Sequence, residues 1–99
     1  MASFRRSKYI GVSSNGSSYQ VLIAINKKKT YLGSYENDKE AAVTFDFYSI
    51  LLHSIEASTN YSYSAYAVKQ MIDNYEQFNN SFNASYFIEY NDPERTQDN

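Results

Sequence analysis

Few side chains in this sequence are of a type that does covalent chemistry, and their spacing does not assemble a catalytic group. His53 is the one histidine. As a general base it would need a nucleophile and an orienting partner within hydrogen-bond reach, and no such arrangement is evident. At a helix end it is better explained as a cation suited to the negative pole of the helix dipole. Glu36, Asp38 and Glu40 cluster at a helix start, where capping and the dipole account for them. One histidine, no cysteine and scattered carboxylates make no metal-ligand set. The three glycines stand too far apart for a phosphate loop. No catalytic residue, metal, cofactor or small-molecule substrate is therefore expected. The remaining chemistry is ionic. Arg5, Arg6, Lys8, Lys27, Lys28 and Lys29, with Tyr31 nearby, are of the types that hold phosphates without breaking bonds.

Those cations are not spread evenly. Residues 1–35 carry all six of them and no acid, a balance of +6. Residues 36–99 hold all eleven acids against Lys39, Lys69 and Arg95, a balance of −8. The net charge of −2 points away from a polyanion partner, but the split means that such a partner would meet the first third. With 99 residues the chain is sized for one domain with a modest core. The lack of cysteine excludes a disulfide framework and suits a reducing intracellular compartment. No apolar run is long enough to insert in a membrane, and the polar, basic first ten residues do not read as a secretory signal.

The elements that must position these residues follow from periodicity. Residues 1–7 read as a basic arm. Tyr9-Ile10-Gly11-Val12 is short and β-prone, and Ser13–Ser18 reads as a turn centred on Asn15-Gly16. Tyr19–Ile25 alternates, with Tyr19, Val21, Ile23 and Ile25 on one face and Gln20, Leu22, Ala24 and Asn26 on the other. Asn26-Lys27-Lys28 makes a second turn. Lys29–Tyr35 is a third strand, with Thr30 and Leu32 on one side and Lys29 and Tyr31 on the other. Asn37 then caps a helix from about 38 to 54 whose apolar stripe is Ala41, Phe45, Tyr48, Leu52 and Ile55. Ser64 caps a second helix over about 65–78, with Val68, Met71, Ile72, Tyr75 and Phe78 as its stripe. Residues 79–85 read as loop, Tyr86-Phe87-Ile88 as a short apolar patch and 91–99 as a disordered tail. The expected fold class is α+β: a three-stranded antiparallel sheet packed on one α-helix, plus an additional C-terminal helix.

Several segments, taken in order, resemble the Apetala-2/ethylene-response-factor DNA-binding domain. Lys8-Tyr9-Ile10-Gly11-Val12 stands where that family has Tyr-Arg-Gly-Val. Tyr19-Gln20-Val21-Leu22-Ile23 stands for its aromatic-x-Ala-x-Ile, and Tyr31-Leu32-Gly33-Ser34-Tyr35 for its aromatic-Leu-Gly-small-aromatic. Glu40-Ala41-Ala42 through Phe45-Asp46 matches Glu-Ala-Ala followed by aromatic-Asp, and Ala57–Tyr61 fits a closing Ala-x-x-Asn-aromatic. The resemblance covers roughly residues 8–62, leaving 63–90 as a helical extension. It implies a non-enzymatic domain whose exposed sheet face lies in a DNA major groove. The glycine of the third segment, Gly33, is expected to let the chain turn from strand toward helix, the two alanines to let the helix lie close to the sheet, and Asp46 to accept donors there.

The positions that the family uses for contact are mostly replaced. Ile10 and Ser13 stand where arginines flank the Gly-Val pair, and Leu22 and Ala24 hold outward positions of the second strand. Lys29 and Tyr31 keep a cation and an aromatic on the third. An apolar centre of Ile10, Leu22, Ala24 and Tyr31, with Gln20, Asn26 and Ser13 around it, has the profile of a protein-binding patch. The residues thus point first to a structural or adaptor subunit that binds other protein subunits through Ile10, Gln20, Leu22, Ala24 and Tyr31. The alternative is a transcription-factor-type domain, nuclear in that case, that contacts double-stranded DNA through Arg5, Arg6, Lys8, Lys27, Lys28, Lys29 and Tyr31.

Overall fold

The alternating segment around Tyr19–Ile25 becomes the centre of an antiparallel sheet. A computed structural model of the chain describes residues 5–94, and of Arg5 and Arg6 the backbone alone. The strands are β1 (Arg5–Arg6), β2 (Val12–Asn15), β3 (Ser18–Ile25) and β4 (Lys28–Tyr35), in the order β1-β2-β3-β4. The three longer ones form the expected meander; β1 adds a two-residue edge. Three helices follow: α1 (Asp38–His53), α2 (Ala65–Gln77) and α3 (Ala84–Asn91). The α+β class and the helix behind the sheet agree with expectation. None of the helices is long and apolar enough to cross a membrane. The chain divides into two compact units, Met1–Asn60 and Tyr61–Asn99.

In the first unit, α1 packs on β2, β3 and β4, most extensively on β3. Val12, Val21 and Ile23 are buried on the sheet side, with Ala41, Ala42 and Phe45 on the helix. Asn37 caps α1, its side-chain oxygen accepting from the Glu40 amide at 2.8 Å. The β2–β3 turn is tighter than expected. Asn15 pairs with Ser18, so only Gly16 and Ser17 lie between the strands. The β3–β4 turn is Asn26-Lys27, since Ile25 pairs with Lys28. Both turn residues have positive φ, 53° and 68°, the type I′ pattern that suits the right-handed twist of a hairpin.

Four local expectations are corrected. Tyr9–Gly11 is a turn and not a strand, because Gly11 has φ 76° and breaks the extended run. A Cβ on Gly11 would lie 2.1 Å from Cδ1 of Phe45, so this glycine also lets the helix ring press on the backbone. Gly33 does not turn the chain toward the helix; it sits inside β4 opposite Val21. Next to it Leu32 is the extra residue of a bulge, since Val21 pairs with Gly33 but Leu22 pairs with Tyr31. The stripe of α1 also differs. Leu52 is exposed and Ile55 is 99% exposed, while Val43 and Phe47 are buried. The helix stops at His53, where Ser54 takes φ 54° and a single 3-10 turn begins, so Ile55 falls off the helical face.

The second unit holds two helices where one was expected. Asn79 and Asn80 both have φ 61° and end α2, a role asparagine fills because it tolerates the left-handed region. Asn83 then caps α3, accepting from the Tyr86 amide at 3.1 Å. Phe87, read as part of an isolated patch, is buried beside Phe82 and Tyr63, with ring centroids 5.8 and 6.4 Å away. Of the α2 stripe, Met71 is buried but Ile72 is exposed. Asn74, on no expected stripe, is buried as well. Asn91 closes α3, and Asp92–Glu94 follow with the Glu94 amide donating to the Asp92 carboxylate at 2.9 Å. The rest of the expected disordered tail, residues 95–99, lies outside the described residues, as do residues 1–4 of the arm.

Candidate functional site

The face of the sheet turned away from α1 collects the residues singled out in the sequence. Strand pairing assigns them. Val12 pairs with Val21, and both are buried; their neighbours Ser13 and Gln20, also paired, take the opposite face. Gln20 in turn pairs with Ser34, Leu22 with Tyr31, and Ala24 with Lys29. Arg6 occupies the register position opposite Ser13. The outer face therefore has three rows. A polar row runs Ser13, Gln20, Ser34 across β2, β3 and β4. An apolar row follows with Leu22 and Tyr31, then a third with Ala24 and Lys29.

The bulge decides this arrangement. In a regular strand Tyr31 and Ser34, three residues apart, would face opposite sides. Leu32, the extra residue, returns Ser34 to the outer face and sends Tyr35, paired with Tyr19, to the inner one. Strict alternation assigns Tyr31 and Lys29 to the correct face but puts Ser34 on the wrong one. No residue type in Tyr31–Tyr35 marks the bulge except Gly33, whose lack of a side chain leaves room for the Tyr35 ring: a Cβ there would lie 3.2 Å from the Tyr35 hydroxyl.

Ile10 reaches this face from the β1–β2 turn. It is 51% exposed, and Tyr31 is 56% exposed. Lys8, Ile10, Ser13, Leu22 and Lys29 line a shared hollow of about 440 Å³ on the outer side. Lys8 stands with its ammonium 5.2 Å from the centroid of the Tyr9 ring, a cation–π contact that leaves the charge exposed.

The turn is held by one asparagine. The Ile10 amide donates to Asn60 Oδ1 at 2.7 Å, and Asn60 Nδ2 donates to the Ile10 carbonyl at 3.2 Å. The Asn60 side chain thus acts as a short length of strand backbone. Asn60 is held in its turn by Asp46, which is fully buried: Asp46 Oδ1 accepts from the Asn60 amide at 2.7 Å and from Nδ2 at 3.0 Å. Asp46 does accept donors as expected, two of them from Asn60 in the segment after α1. Ser49 pins the same segment by donating to the Ser58 carbonyl at 2.8 Å.

The lysines of the hairpin do not act as one block. Lys27 is at the tip, Lys28 pairs with Ile25 and so takes the inner register, and Lys29 alone shares the face of Tyr31. All three are exposed and none forms an ion pair within the described residues. Of the basic arm, Arg5 and Arg6 are placed only by their backbone, as β1; their side chains lie outside the described residues. Since residues 1–35 contain no Asp or Glu, no acid lies on any strand of the sheet.

His53, Glu36, Asp38 and Glu40 are not drawn together into a site. His53 is exposed in the last turn of α1, and Asp38 and Glu40 sit in its first turn. Among the described residues no group of three or more His, Cys, Asp or Glu is placed to hold a metal ion. The structural residues that sequence reasoning missed are Asn60 as a clasp and Asn74. Asn74 Nδ2 donates to the Asn83 carbonyl at 2.9 Å, and the Asn83 amide donates to Asn74 Oδ1 at 2.8 Å. The closing Asn of the expected motif pointed to the first; in an Asn-rich chain nothing distinguished the second. No protein-family model matches this chain, and no curated protein is significantly similar to it.

Proposed function

We propose that this chain is a non-catalytic double-stranded-DNA-binding domain of the Apetala-2/ethylene-response-factor kind, laying the outer face of its sheet into the major groove. The observation that carries the reading is the charge and shape of that face. Its strands carry no acid; Arg5 and Arg6 stand on one edge strand, and Lys29 stands on the other with Lys27 at the hairpin tip. The three longer strands, β2 to β4, lie about 4.8 Å apart and span roughly 10 Å between their outer axes, with β1 outside that width. That width matches a major groove about 12 Å across, which is known to admit β-ribbons. Cations at both margins then meet the two phosphate backbones, while Gln20, Leu22, Ala24 and Tyr31 face the bases. Within the described residues the three hairpin lysines have no ion pair to give up on binding.

The test is a titration of labelled random duplex followed by fluorescence anisotropy at two salt concentrations. With four phosphates neutralised, affinity falls on the order of a hundredfold between 50 and 200 mM salt. Absence of binding at low salt removes the reading.

A second reading is favoured by one observation, the apolar group of exposed Ile10 and Tyr31 with half-buried Leu22. In it the same face docks on another protein subunit and the chain is an adaptor within a larger assembly. An apolar interface survives 0.5 M salt where a phosphate-bound one does not, because screening barely touches burial of apolar area. It also predicts that Ile10→Asp and Leu22→Asp release co-purifying subunits. A complex that persists in high salt and is lost in these variants selects the adaptor.

A further inference from the structure

We infer that the sheet face prefers A·T-rich duplex, reading thymine methyl groups and an adenine edge in the major groove. The inference rests on the DNA-binding reading above and adds what the bound sequence is. Its basis is the division of residue types between the margins and the middle of the face. Cations stand at the margins: Arg6 is on the edge strand, and Lys29 is at the hairpin end. The central strand β3 carries Gln20, Leu22 and Ala24 on that side.

Each base pair offers a different set of groups in the major groove. Guanine presents two acceptors, N7 and O6, which bidentate arginine or lysine donors fit. Adenine presents an acceptor and a donor, which the amide of glutamine or asparagine matches. Thymine presents a methyl group, which apolar side chains contact. The middle of this face has no cation and so no bidentate partner for guanine. It has one amide, Gln20, set between Ser13 and Ser34 in the polar row. Beside it Leu22 and Ala24, with Ile10 across the hollow, form an apolar surface of the kind a row of methyl groups covers. A G·C-rich groove presents as many polar groups and no methyl, so these apolar side chains would face polar edges alone.

The experiment compares four duplexes of one length at 50 mM salt: random, A·T-rich, G·C-rich, and the A·T-rich duplex with every thymine replaced by uracil. Uracil keeps the hydrogen-bonding edge and removes only the C5 methyl. Covering a methyl contributes about 0.8 kcal/mol, close to fourfold in affinity. Two or more covered methyls make the uracil duplex weaker on the order of tenfold, and the A·T-rich duplex the tightest of the four. Leu22→Ala narrows the thymine-to-uracil gap, and Gln20→Ala narrows the A·T-to-G·C gap. Equal binding to all four duplexes overturns the inference while leaving the DNA-binding domain in place. An A·T preference that ignores uracil replacement also overturns it, since shape or the minor groove is then being read. No binding to any duplex removes both the inference and the function on which it rests.

Discussion

Each of the two units is fastened by a buried or half-buried asparagine amide that imitates backbone, and the two fastenings differ in what stands behind them. Asn60 bonds both the amide and the carbonyl of Ile10, and is itself held by the buried carboxylate of Asp46. Asn74 bonds the amide and carbonyl of Asn83, which goes on to cap α3. The first clasp ends at the proposed recognition face, because the turn it grips presents Ile10 to the hollow shared with Leu22 and Lys29. The second joins α2 to the start of α3. The same amide chemistry therefore shapes the proposed site in one unit and ties the α2–α3 junction in the other. A carboxylate backs the first amide, and the second projects from α2.

The contrast can be broken most forcefully at the turn itself. Gly11→Ala forces a Cβ into the Phe45 ring and a side chain onto a positive φ. Strain and overpacking of about 1–3 kcal/mol each sum to roughly 4 kcal/mol. Urea denaturation is expected to show the loss, and a change below 1 kcal/mol would mean the turn is not pinned as described.

Asn60→Ala comes next. It strips Ile10 of its partner and leaves buried Asp46 with one donor fewer. About 3 kcal/mol is expected, as for a hydrogen bond to a buried charge left short. Duplex affinity, measured well below the melting temperature, should fall as well. Asn74→Ala is expected to cost about 2 kcal/mol, since neutral buried groups are orphaned, with duplex affinity unchanged. Equal effects of the two variants on affinity would erase the distinction between the clasps.

Two smaller changes sharpen the comparison by improving the first unit. Thr44 Oγ1 is buried on α1 without a hydrogen-bond partner among the described residues. Thr44→Val should stabilise by about 1 kcal/mol, raising the melting temperature of a chain this size by some 4–8 °C. Lys27 occupies the left-handed region at the hairpin tip, where glycine is strain-free. Lys27→Gly should gain about 0.5–1 kcal/mol from relief of that strain, while the slope of log affinity against log salt becomes shallower by about one. A stability gain with no change in slope would place Lys27 away from phosphate.

Much of the fold was legible in local sequence. The period of two through Tyr19–Ile25, the cap at Asn37 and the cap at Ser64 each act within a few residues, and the elements they announce are present with boundaries close to those expected. The outward set Leu22, Ala24, Lys29 and Tyr31 was legible for the same reason, since a strand's alternation alone decides which side each residue takes. α3 was not, because its cap, Asn83, lies among many asparagines and its helix is only eight residues long.

Local pattern thus determined β3 and β4, the first two helices, the charge division and most of the outer face, all of which depend on neighbours along the chain. Only tertiary structure decided the bulge at Leu32 that turns Ser34 outward, the use of Asp46 and Asn60 to hold Ile10, and the partnership of Asn74 with Asn83. These rest on contacts between residues far apart in sequence or on one extra residue in a pairing register. Neither leaves a period, a cap or a composition that a single segment could show.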